Sequence, residues 1–196
     1  QGQRKVDVGA AAEQDAALLE SWEGMVDVGA FIPVRAGRSM ELRVEQAHGR
    51  GTVRVARHPR AENGFVGLVH VADKGRGADR YGFRAYGRAV AEAPPARPAA
   101  DLAFEWEGVV DRRAEIVIRQ GEPTSAANTK FTVCAHRGQA DLFRGASLRL
   151  EQKSGRGKAE LVQQPCAAND YTARVAISDA GGGPDLYRFA LYAVQH

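Results

Sequence analysis

The sequence predicts an all-β protein made of two tandem antiparallel β-sandwich repeats, preceded by a short N-terminal helix or extended segment. Three observations carry the prediction. Apolar residues alternate with polar ones, the chain repeats itself at a fixed offset, and Gly, Asn, Asp and Pro punctuate the apolar runs at turn-like intervals. A period of two places every second side chain on one face of a pleated strand, so each such run buries one face and solvates the other.

The repeat is direct. Shifted by 106 positions, LRVEQAHGRG from Leu42 falls on LRLEQKSGRG from Leu148, and 18 of 47 aligned residues are identical without a gap. Upstream, SWEGMVDVGAFIPVRAG from Ser21 matches EWEGVVDRRAEIVIRQG from Glu105 at a shift of only 84. The second copy therefore carries 22 additional residues, which lie between Arg119 and Leu148.

Taken in order, residues 1–20 read as a polar tail followed by AAAEQDAALLESW, whose Ala and Leu content suits a short helix. Residues 21–88 form the first repeat. Its strands show in Met40, Leu42 and Val44, separated by Glu41 and Arg43. Residues 89–103, AVAEAPPARPAADLA, read as an extended Pro/Ala linker. Residues 104–196 form the second repeat, with alternation in Tyr171, Ala173, Val175 and Ile177 and again in Tyr187, Phe189 and Leu191, and with an inserted hairpin at about 120–147. In strand density the repeats resemble immunoglobulin-like and fibronectin-like sandwiches, although the Cys…Trp…Cys signature between sheets is missing.

Each copy contains the same phrase, DKGRGADRYGF from Asp73 and DAGGGPDLYRF from Asp179. It reads as a hairpin turn: Gly75, Gly77, Gly181 and Gly183 supply conformational freedom, and the aspartates accept bonds from freed backbone N–H groups. The competing reading is a structural Ca²⁺ site on Asp73, Asp79, Asp179 and Asp185, because Ca²⁺ takes oxygen ligands from carboxylates and loop carbonyls. The spacing D-x-G-x-G-x-D lacks the closely spaced aspartates and terminal Glu of an EF-hand, which favours the turn.

Composition is that of an ordinary globular protein, 44% hydrophobic and 26% charged, with a net charge of +3 concentrated in the first repeat. There Arg35, Arg43, Arg54 and Arg57, among other arginines, form a candidate surface for an acidic protein, a glycan or lipid headgroups. Tyr86 and Tyr192, out of phase with the core-facing aromatics, are candidate exposed contacts. Trp22 and Trp106 open each repeat within a WEG motif, read as core anchors with a sugar-stacking platform as the alternative. Cys134, in the insertion, and Cys166 are expected to form a disulfide that pins the insertion to the sandwich, in keeping with an exported protein.

No zinc, P-loop, dinucleotide or nucleophile-elbow motif is present, and the five histidines are scattered. Glu23 with Asp27 and Glu107 with Asp111 are the carboxylate pairs open to a glycosidase reading, but they lie on ordinary strands. Sequence-specific nucleic-acid binding is not expected, since no recognition helix or aromatic RNA-binding signature is found. The expected function is that of a non-enzymatic, exported structural or interaction protein, periplasmic or extracellular. It would be an accessory subunit on the periplasmic face of a photosynthetic or respiratory membrane complex, or on a surface filament. The alternative is a carbohydrate-binding module, with or without calcium.

Overall fold

The computed structural model describes the backbone of residues 16–94, 97–137 and 139–194, and the side chains of all these except 127–137. The expected tail over residues 1–15 lies outside the described residues. The fold is all-β with one short helix. The chain divides into two compact units, the first containing residues 32–92 with the segment up to Val26, the second containing residues 93–194 with Asp27–Phe31.

In the first unit, strand β1 (Ala17–Val26) is an edge of a three-stranded sheet ordered β1-β6-β3, with β3 at Met40–His48 and β6 at Asp79–Ala89. The residues ALLESW, read above as helix-prone, are strand: Trp22 pairs with Phe83 and Val26 with Asp79 across the ladder to β6. Tertiary pairing overrides the local helical propensity of Ala and Leu. A second sheet is ordered β2-β5-β4, from β2 (Gly29–Arg35), β4 (Thr52–Arg57) and β5 (Val66–Ala72). Val34, Leu68, Val69, Val71, Tyr81, Phe83 and Ala85 are the most completely buried apolar side chains here, and Trp22 stacks on Phe83 at 5.5 Å between ring centroids.

In the second unit, the 18-residue strand β7 (Leu102–Arg119) does the work of both β1 and β2. Its first half pairs with β12 (Asp185–Val194), which in turn pairs with β9 (Ser147–Ser154). Its second half pairs with β11 (Thr172–Ser178), which pairs with β10 (Lys158–Gln163). These are the pairings of β1-β6-β3 and β2-β5-β4 repeated. The joint is also repeated: Val28 has φ +69° between β1 and β2, and Arg112, 84 positions on, has φ +71° inside β7.

The extra residues explain why one copy has two sheets and the other a single six-stranded one. After a tight turn at Gln120 and Gly121, both at positive φ, strand β8 (Glu122–Arg137) runs back along the free edge of β7 and pairs with both of its halves across the bend. The insertion therefore makes a hairpin with β7 itself and then continues into helix α1 (Ala140–Gly145), whose Phe143 is buried. The core of this unit collects Phe104, Trp106, Ile116, Ile118, Phe143, Val175, Tyr187, Phe189 and Leu191. Trp106 is fully buried and stacks on Phe189 at 5.6 Å, repeating the pair made by Trp22 and Phe83.

The expected disulfide is not formed. Cys166 is an exposed free thiol at the start of a short 3₁₀ turn, Ala167–Asn169. Its backbone N–H donates to Asn169 Oδ1 at 2.9 Å, as Arg60 N–H does to Asn63 Oδ1 in the first copy. The position is dictated by this repeated turn, whereas Cys134 lies on β8 opposite Glu107 and its side chain is outside the described set.

Candidate functional site

The repeated phrase builds one polar cluster in each unit. In the first, Arg50 Nε and Nη2 donate to the two oxygens of Asp73 at 3.0 and 2.8 Å, and Nη2 also reaches Arg76 O and Gly77 O. The Arg50 backbone N–H donates to Asp79 Oδ2 at 3.0 Å. Tyr81 completes the cluster, its hydroxyl donating to Asp73 Oδ1 at 2.5 Å and accepting from Gly51 N–H at 2.8 Å. In the second unit Arg156 takes the place of Arg50, binding Asp179 at 3.0 and 2.6 Å, Asp185 through its N–H at 2.9 Å, and the carbonyls of Gly182 and Gly183. Tyr187 donates to Asp179 at 2.5 Å and accepts from Gly157 at 2.8 Å.

The glycines of the GRG turns are required by close approach. Gly49 and Gly155 have φ of +118° and +112°, and a Cβ on either would lie 2.2 Å from the ring of Tyr81 or Tyr187. Gly181, expected to need positive φ, does not; a Cβ there would instead lie 2.4 Å from Arg156 Nε.

A guanidinium therefore holds the carboxylates that the calcium reading assigned to a cation. The hydrogen bonds from Arg50 and Tyr81 bring the Asp73 carboxyl down to about 2. Burial works to raise Asp179, but Arg156 and Tyr187 outweigh it and the net displacement is downward. Burial first, and the adjacent carboxylate second, push the hydroxyls of Tyr81 and Tyr187 upward. The arginines were the members of this cluster that sequence reasoning missed. Their signal was present, since both copies keep GRG at the same distance from the Asp and Tyr. Among the described residues, no group of three or more metal-ligating side chains comes together.

The predicted arginine surface is divided. Arg43, on β3, lies over the ring of Tyr86 at 5.0 Å and bonds Glu45 at 2.7 Å. Arg149 and Lys153 repeat this over Tyr192 at 5.3 and 5.4 Å, with Glu151 bonded to Lys153 at 2.6 Å. Both tyrosine rings are half-buried beneath cations, so their faces are engaged by cation–π contact. Arg35, Arg54 and Arg57 belong to the other sheet, on β2 and β4, where Arg54 Nε donates to His70 Nδ1 at 3.3 Å and Arg57 lies 3.8 Å from Glu62. The structure thus joins Arg43 to Tyr86 and leaves Arg35, Arg54 and Arg57 apart from them.

Of the carboxylates open to a glycosidase reading, Glu23 has the wrong environment for a proton donor. Arg80 bonds Glu23 at 2.5 Å and holds its carboxyl below the usual range, whereas a general acid needs it raised. Of the two indoles, Trp106 is wholly buried and Trp22 is half-buried.

The last feature is an edge. β7 is flanked by β12 and β11 on one side and by β8 on the other, whereas β1 pairs only with β6 among the described residues. Equivalent positions reflect this: Val109 is 1% exposed and Met25 66%. No protein-family model, curated protein or solved structure matches this chain.

Proposed function

We propose that the chain is a non-enzymatic, exported interaction protein, built from two copies of one immunoglobulin-like or fibronectin-like β-sandwich and docking as an accessory subunit on a larger assembly, at the periplasmic face of a membrane complex or on a surface filament. The observation that carries the reading is the fate of the polar side chains in the repeated turns. Arg50, Asp73, Asp79 and Tyr81, and their counterparts Arg156, Asp179, Asp185 and Tyr187, satisfy one another and the turn backbone. Such groups stabilise a scaffold and leave the sheet faces and edges as the surfaces for recognition. The absence of any recognisable catalytic motif in the sequence is in keeping with this.

A gentle pull-down of the untagged protein from the membrane and envelope fraction, followed by native mass measurement, tests it. A defined, stoichiometric set of subunits is the expected result. A monomer that retains no partner and binds oligosaccharide or Ca²⁺ in calorimetry would replace this reading with that of a carbohydrate-binding module.

A further inference from the structure

The two copies differ along one line of residues. Shifted by 106 positions, Lys74, Arg76, Arg80, Arg84 and Arg88 of the first fall on Ala180, Gly182, Leu186, Ala190 and Val194 of the second. Five cations stand where the second copy has none, although Asp73, Asp79, Tyr81 and Tyr86 all keep their counterparts in Asp179, Asp185, Tyr187 and Tyr192.

Lys74 and Arg76 lie in the turn between β5 and β6. Arg80, Arg84 and Arg88 share one phase of β6, opposite to the buried Tyr81, Phe83 and Ala85. All five are exposed, and at about 3.3 Å per residue the row from Arg80 to Arg88 is about 26 Å long. Arg80 bonds Glu23, but the other four enter no ion pair among the described residues. The carboxylates opposite Arg84 and Arg88 on β3 are Glu45 and Glu41, and both are engaged elsewhere: Glu45 by Arg43 at 2.7 Å, and Glu41 by Arg60 and His58, each at 3.1 Å. In the second copy the same face of β12 carries one arginine, Arg188, and it is bonded to Glu105 at 2.6 Å. Folding and solvation of this face therefore need no unpaired cation, and the first copy has four.

The shape of the charge selects its ligand. The stripe is one strand wide, with Glu23 on β1 and Glu41 and Glu45 on β3 beside it, so an anionic bilayer spread over the face would meet carboxylates on both flanks. An extended acidic peptide draws its affinity from main-chain pairing, and β6 has none to give because β1 and β3 take both its edges. Single-stranded nucleic acid needs aromatic faces on which bases stack, whereas Tyr86, the aromatic residue of this row, lies under Arg43. A narrow chain with regularly repeated oxyanions meets the guanidinium groups with none of these conflicts.

We propose that the stripe Lys74, Arg76, Arg80, Arg84 and Arg88 binds an anionic polysaccharide, one whose sugar units carry carboxylate or sulfate groups, laid along β6. Arg84 and Arg88 supply the unpaired guanidinium groups on the strand, and Lys74 and Arg76 extend the track over the turn. This adds a ligand to the interaction-protein reading and does not rest on it.

Labelled polygalacturonate and dextran sulfate, with uncharged dextran of the same length as control, are titrated with the intact protein and followed by fluorescence anisotropy. Saturable binding of the anionic polymers that weakens with added salt, and none of dextran, is the expected result; the tighter of the two identifies the preferred oxyanion. Bound polymer should also shield Arg84 and Arg88 from phenylglyoxal, read by peptide mapping. The quadruple variant Lys74→Ala, Arg76→Gly, Arg84→Ala and Arg88→Val installs the second copy's own residues and leaves Arg80 on Glu23; it should melt as the wild type does and bind at least about tenfold more weakly. The double variant Arg84→Gln and Arg88→Gln, which keeps the length of the side chains, should lose part of the same affinity. No binding of either anionic polymer, equal binding by the quadruple variant, or shielding of Arg35 and Arg54 in place of Arg84 and Arg88 would overturn the proposal. So would tighter binding of phosphatidylserine vesicles or of a single-stranded oligonucleotide than of either polymer. The pull-down is read separately: a partner recovered equally by wild type and quadruple variant supports the interaction reading whatever the polymers do, and the polymers alone decide the stripe.

Discussion

Replacing Tyr187 with Phe removes a single oxygen from the second turn cluster. That hydroxyl is buried with its ring, donates to Asp179 at 2.5 Å and accepts from the Gly157 N–H at 2.8 Å. A hydrogen bond to a charged group contributes about 1.5–3 kcal/mol, and leaving the Gly157 N–H without a partner costs about 1–3 kcal/mol where water does not reach it. Arg156 remains on Asp179 and the outer side of the turn is open to water, so the sum is discounted to about 2–4 kcal/mol. In urea, with a denaturant slope of about 1–3 kcal/mol/M for a small unit, the transition of the second unit should move down by about 1–4 M. Tyrosine fluorescence, circular dichroism and hydrogen exchange read by unit would follow it. Tyr81→Phe should produce the same displacement in the first unit, because Asp73 and Gly51 occupy the same places there. A loss below about 0.5 kcal/mol for both variants would refute the view that these clusters hold the turns.

Three further outcomes are expected. The folded protein binds a proton on Asp73, held at about 2, and on Asp179, also lowered, more weakly than the unfolded chain does near 3.8, so their stabilisation is complete above about pH 4 and lost as the pH falls toward 2. The raised tyrosines act in the opposite sense, their contribution being present below about pH 10 and lost above it, and a denaturation series across both limits checks the pair. Gly49→Ala should destabilise the first unit by at least about 2 kcal/mol, since it combines positive φ with a Cβ 2.2 Å from the buried Tyr81 ring, and thermal melting reads this directly. Cys166 should react with a thiol reagent in the native state without prior reduction, and peptide mapping of the labelled protein locates the adduct.

Much of the fold was legible because a strand writes its period into the sequence. Tyr81, Phe83 and Ala85 alternate in the sequence and are all buried in β6, as are Ala173, Val175 and Ile177 in β11. The aspartates of the repeated phrase were legible as turn residues, but their partner was not, because Arg50 lies 23 residues before Asp73 and only the hairpin geometry brings the two together. The disulfide expectation failed for a related reason: two cysteines in one repeat say nothing of distance, and Cys166 is committed to a turn that exists in the first copy without it. Of the two alternatives for ALLESW, helix or extended segment, the helix failed through context, since the helical preference of a short segment is weaker than a ladder of backbone hydrogen bonds to β6.

By itself, the sequence determined that this protein is all-β, that its two halves use one pattern of strands and turns, and that the second half carries 22 residues the first lacks. These are local or repetitive properties, and local sterics and side-chain period are enough to encode them. Only the tertiary structure decided where those residues go and what their absence leaves behind. Laid along β7, they merge two sheets into one and cover its edge, while β1, with the same WEG motif, pairs with β6 alone among the described residues. Whether a strand edge is covered depends on pairing between segments distant in sequence, and no property of the strand's own residues reports it.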